Sequence, residues 1–187
     1  MPEEIDDIEE LIKKMQAYNP RIITIDGVGG SGKTTLAHDI SQRLGQEKKV
    51  TVISLDLFLR SGSGRALFKI GILRNVLKEQ LKLNQDDKII IVEGVFLRQV
   101  MEKLRRATNN RVGDQQVYHI YCVIKNPVRG NFDSFYEAKD ISSLYEETVP
   151  PTPWWIQLFH YHQRFNPCER ADIIYIRTQE DLSSNLI

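Results

Sequence analysis

Residues 27 to 34 read Gly-Val-Gly-Gly-Ser-Gly-Lys-Thr, a complete G-x-x-x-x-G-K-[ST] phosphate-binding loop between an apolar run and an amphipathic one. Such a loop works only where a buried strand ends and a helix begins, so it constrains the fold as well as the chemistry. Gly27, Gly29, Gly30 and Gly32 lack a Cβ, which lets the backbone turn its N–H groups, that of Ser31 among them, toward one phosphate. The helix that follows adds its positive end. Lys33 is placed to reach the β- and γ-phosphates, Thr34 to ligate the Mg²⁺ that bridges them, and Thr35 to meet the α-phosphate. A chance glycine turn would lack the flanking pattern. Here Arg21 to Asp26 is a strand-like run, and Leu36, Ala37, Ile40 and Leu44 recur with helical spacing. The chain is expected to hold a nucleoside triphosphate.

Five apolar runs rich in β-branched residues, at 21–26, 50–55, 88–93, 116–124 and 171–177, are candidate buried strands. Helical periodicity lies between them, in Leu73, Val76, Leu77 and Leu81 and again in Leu97, Val100, Met101 and Leu104. Alternation of this kind predicts an α/β fold: three layers, with a five-stranded parallel sheet covered by helices on both faces. Functional residues then gather just past the strand ends. Residues 1–18 form an amphipathic pattern, with Ile5, Ile8, Leu11, Ile12 and Met15 on one helical face, read either as a stripe packed on its own domain or as a partner surface. Three prolines at 150, 151 and 153 leave Thr152 as an N-cap, so a helix is expected from about 153 to 165.

The charge balance narrows the partners. Lys plus Arg equals Asp plus Glu at 25 each among 187 residues, so no net field draws the protein to nucleic acid or an anionic membrane. Two cysteines, Cys122 and Cys168, give neither a disulfide framework nor metal-ligand spacing, and read as free thiols of a reducing compartment. No apolar stretch is long enough to span a bilayer, and the acidic start is unlike a signal peptide. A cytoplasmic location is the expectation.

Two carboxylates follow strand-like runs. Asp56, in Ser-Leu-Asp-Leu-Phe, is a candidate general base for a hydroxyl nucleophile, or else a strand-end cap or an acid behind the Mg²⁺ shell. Glu93 ends the run Lys-Ile-Ile-Ile-Val-Glu and is a candidate acceptor for Mg²⁺-bound water, or simply the first polar residue after a buried strand. Gly94 is expected to let the backbone pass close to bound phosphates.

The loop at 26–35, Ser54 to Phe58, Ile91 to Gly94, and the segment Arg164 to Ile174 with its Pro167 and Ala171-Asp172 pair together resemble the uridine kinase family. That family belongs to a wider P-loop group that includes phosphoribulokinase and bacterial pantothenate kinase. The resemblance covers about residues 20–177. It implies a single P-loop kinase domain over 1–187 with a lid-like insertion at about 125–150. It also implies ATP and Mg²⁺ as cofactors and transfer of the γ-phosphoryl group to a hydroxyl of a small molecule, nucleoside-like or phosphorylated. Asp56 would be the base, Glu93 would stand near the metal, and a homo-oligomer is admissible.

The departures are as specific. Lids of this family carry several arginines, whereas 125–134 offers Arg129 as the clear catalytic candidate, with Lys125 and Lys139 behind it. After Phe58 the chain is basic and glycine-containing; Arg60, Arg65 and Lys69 read as contacts for an acidic acceptor or as solvated loop charges. The stretch from Trp154 to His162 reads as core or as a wall of an acceptor pocket, and His160 and His162 are too poorly aligned to share a metal. The alternative to a kinase is a nucleotide-binding regulatory protein that kept the loop without efficient transfer.

Overall fold

The central strand β2 (Ile22–Asp26) is buried at every position, as a strand covered on both faces must be. Around it a computed structural model describes residues 1–60, 67–82, 88–107, 116–125 and 152–178. The other strands are β1 (Glu3–Ile5), β3 (Lys49–Ser54), β4 (Lys88–Glu93), β5 (Val117–Lys125) and β6 (Ile173–Thr178). The helices are α1 (Ile8–Tyr18), α2 (Lys33–Leu44), α3 (Ile70–Lys82), α4 (Leu97–Ala107) and α5 (Pro153–Phe165).

Among the described residues all strand pairings of the sheet are parallel, in the order β1-β6-β5-β2-β4-β3. The sheet therefore has six strands among the described residues, not the expected five. The added strand comes from the presumed helical start: Glu3 to Ile5 pair with Ile173 to Tyr175, and Ile5 is buried in the sheet layer. Three residues are too short to show a period of two, and Ile5 happens to fall in phase with the helical stripe that follows. Asp7 separates the two, its carboxylate accepting the Glu9 N–H at 2.7 Å as an N-cap. Leu11, Ile12 and Met15 of α1 are buried on their own domain.

Alternation along the strands divides the core into two layers. Ile23, Ile25, Ile91 and Ile120 pack with α1 and α2 on one face, whereas Ile22, Ile90 and Val92 pack with α3 and α4 on the other. On that second face β2 and β5 carry polar side chains in register, Thr24 beside His119 and Asp26 beside Tyr121. The expected helix at 153–165 is α5: Thr152 caps it by accepting the Trp155 N–H at 3.4 Å, and Pro153 opens it. Its aromatic residues pack with Phe96, whose ring meets those of Trp154 and Tyr161 edge-on at 5.2 Å each. This stretch is core on its inner side, while Trp154 and Trp155 remain half-buried.

Candidate functional site

The phosphate-binding loop lies where β2 hands over to α2, at the C-terminal edge of the sheet. Gly27 has φ +151°, and a Cβ there would stand 2.4 Å from the Cys122 carbonyl oxygen on β5. Only glycine fits so close an approach. Gly32 has φ +80°, as the αL residue that turns the chain into α2. Gly29 differs from expectation: it is not held at positive φ, and a Cβ on it would meet nothing within 4 Å. The turn is made by its neighbours, so Gly29 carries no backbone requirement of its own.

Three elements hold the loop from outside. Cys122 on β5 donates its thiol hydrogen to the Ser31 carbonyl at 3.0 Å, and burial pushes that thiol up to about 11, so it stays protonated. Arg177 on β6 is buried and donates to the Gly32 carbonyl at 3.1 Å. Asp26, the last residue of β2, accepts the Gly27 N–H at 2.8 Å. Its second oxygen accepts the hydroxyl of Tyr161 on α5 and, at 3.3 Å, the Arg98 N–H in the first turn of α4. A carboxylate at that place satisfies helix donors that have no partner within the helix, and the helix end favours its negative charge. Burial nonetheless raises the Asp26 pKa, with the Tyr161 and Gly27 bonds opposing.

Lys33 is buried and donates to the Val28 carbonyl of its own loop at 2.6 Å. Burial lowers its pKa, and the charges of Asp26, Glu93 and Asp56 act in the opposite direction. The field at Lys33 therefore brings together residues that are far apart in sequence. Glu93 ends β4 between Ile25 of β2 and Ser54 of β3. Asp56 sits two residues past that same Ser54, exposed on the 3₁₀ turn Leu55–Phe58.

The donor set suits Mg²⁺. Glu93 is buried, and its Oε1 has no hydrogen-bond partner, an arrangement that costs free energy unless a ligand or water completes it. Thr34 is exposed at the first turn of α2. Among the described residues no three His, Cys, Asp or Glu side chains come together as a metal cluster. Gly94 has φ +152°, and a Cβ there would stand 2.6 Å from the Leu55 Cβ. What crowds it is the 3₁₀ turn that carries Asp56.

Arg129, Lys139 and the rest of the lid-like insertion past Lys125 lie outside the described residues, as does Arg65. Arg60 and Lys69 are exposed at the neck of the loop after Asp56, where the Arg60 N–H bonds the Leu67 carbonyl and the Lys69 N–H bonds the Phe58 carbonyl, both at 2.8 Å. His160 and His162 separate as expected: His160 is exposed, while His162 is buried with Nε2 2.7 Å from the Tyr121 hydroxyl. Asp172 accepts the His119 N–H at 2.7 Å and so ties the start of β6 to β5. Asp26, Tyr161 and Arg177 were not singled out by sequence. For Arg177 a signal existed, a lone cation within the apolar last strand.

A family profile described as the NB-ARC domain matches residues 4–110. A curated uridine kinase of Lactobacillus johnsonii is 31% identical over 93 residues, covering 47% of this chain and 38% of that protein. The chain thus spans well under half the length of that relative. A solved structure described as a possible uridine kinase from Bacillus stearothermophilus is similar in fold, with a TM-score of 0.57 and 22% identity over 90% of this chain and 96% of that one.

Proposed function

We propose, from the premise that this chain belongs to the NB-ARC domain family and is a uridine kinase-like P-loop protein, that it transfers the γ-phosphoryl group of ATP to a hydroxyl of a small molecule. The observation that carries this reading is the convergence of Asp56 and Glu93 on Lys33, from the ends of two neighbouring strands, with one Glu93 oxygen buried and unpartnered.

In this reading the loop N–H groups and Lys33 hold the β- and γ-phosphates in place. Thr34 and Glu93 would hold Mg²⁺, whose charge would offset that of the phosphates. Asp56 orients the acceptor hydroxyl and takes its proton as the new O–P bond forms and the bond to the β-phosphate oxygen breaks. Most of the rate in such chemistry comes from positioning and charge stabilisation, so an exposed Asp56 suffices as base once an acceptor covers it. Arg129 is proposed as a further contact to the transferring group. The basic neck residues Arg60 and Lys69 favour an acceptor that carries negative charge.

The test is ADP release with ATP and Mg²⁺ across nucleosides, pantothenate, sugars and phosphosugars. Acceptor-dependent turnover supports the kinase. Tight ATP binding with no stimulation by any acceptor would sink it and leave a nucleotide-binding regulatory protein.

A further inference from the structure

On the α4 face, away from Asp56, a cavity of about 660 Å³ opens beside β5. This lies within the roughly 300–1,000 Å³ typical of small-molecule sites. Arg98 and Arg105 of α4 line it at helical spacing, with Arg170 from the turn before β6. His119 is at the β5 side, and Tyr18 and Phe165 form apolar walls. No residue of the loop at 27–35, nor Asp56 or Glu93, takes part.

Two of the cavity's guanidinium groups, those of Arg98 and Arg170, lie close enough to repel each other. Arg98 is half-buried, and its guanidinium donates to the Arg170 carbonyl. Neither Arg98 nor Arg170 forms an ion pair among the described residues. Among the described residues of the lining the one carboxylate is Glu102, which is paired with Arg106 one turn further along α4. Asp26 and Asp172 act on Arg98 only through space, without an ion pair, so a half-buried guanidinium beside a second cation is stabilised further by a ligand that brings an anion into contact. The arginine fork matches the oxygens of a phosphate group, and the two aromatic walls suit a flat organic body.

We propose that this cavity is a second phosphate site, separate from the nucleotide loop, which binds a small organic phosphate. Arg98, Arg105 and Arg170 hold its phosphate group, and Tyr18 and Phe165 flank its organic part. The assignment stands whether or not the loop supports phosphoryl transfer.

Calorimetry on the full chain tests it, with phenyl phosphate as probe and phenol and inorganic phosphate as controls. The Lys33→Ala variant, run beside wild type, removes binding at the loop. One phenyl phosphate per chain is expected in both proteins, with inorganic phosphate weaker and phenol not bound. Arg105→Ala and Arg170→Ala change exposed side chains, and circular dichroism verifies their fold. Each should weaken phenyl phosphate about tenfold or more, as loss of a charge-assisted bond implies. No binding at millimolar probe, binding lost in Lys33→Ala, or binding unchanged in the Arg105→Ala/Arg170→Ala double variant would each overturn the assignment.

Discussion

Lys33 spends its charge on the Val28 carbonyl of its own loop, and in the proposed function that 2.6 Å hydrogen bond is exchanged for phosphate oxygens. The exchange is favourable because a buried ammonium gains more from an anion than from a neutral carbonyl. Lys33→Ala should therefore lose ATP affinity, whereas Asp56→Asn should keep it within about twofold and lose about 10² to 10⁴ in acceptor-dependent turnover. Equilibrium binding and steady-state kinetics on the two variants separate these roles, and full turnover in Asp56→Asn would end the base assignment. His119 sets a pH dependence of its own. Burial, aided by Arg98, lowers its pKa from 6.5 to about 4, and its Nδ1 lies 2.6 Å from the Thr24 hydroxyl. The folded state favours neutral His119, so this stability is fully present above pH 6.5 and is lost as pH falls toward 4. The loss amounts to at most about 3 kcal/mol by linkage. Urea midpoints from pH 7.5 down to 4.5 should fall less steeply in His119→Gln than in wild type; equal slopes would refute the role. Lys33, Asp56 and Glu93 were legible in sequence because each sits at a motif or at a strand end. Asp26 was not, since a carboxylate ending a strand gives no sign of which distant donors it will meet.

At the level of elements, α5 matters to the loop more than its position in the chain suggests. Its Tyr161 is buried, and its hydroxyl both donates to Asp26 and accepts the Arg98 N–H at 3.1 Å. One side chain thus joins α5, α4 and the last residue before the loop. Tyr161→Phe leaves Asp26 one donor short in a buried place, at a cost of about 1–3 kcal/mol. Thermal or chemical denaturation should register that cost, and ATP affinity should fall with it because Asp26 holds the Gly27 N–H. A variant with unchanged stability and unchanged affinity would show that the contact is incidental. The boundaries of α5 were readable from sequence because Thr152 and Pro153 mark a helix start by local chemistry. Its partners were not, because aromatic residues at helical spacing announce burial without saying against what.

For the whole molecule, the sheet order puts β2 between β4 and β5, so the loop after it is flanked by Glu93 on one side and Cys122 on the other. The edge strand β1 closes the sheet beyond β6, and Ile5 anchors it at 3% exposure. Ile5→Ala should destabilise the fold by about 2 kcal/mol or more, as for other buried large-to-small changes. Denaturant midpoints measure it, and no change would mean that β1 adds nothing to the domain. Sequence by itself determined the loop, the alternation of strands and helices, and the acidic residues at two strand ends. These depend on interactions within a few residues, such as phosphate geometry, hydrophobic period and capping. Tertiary structure alone decided the sixth strand, the hold of Asp26, Cys122 and Arg177 on the loop, and the arginine-lined cavity beside β5. Each of these depends on which distant segments meet, and a parallel sheet fixes that only when its strands are ordered.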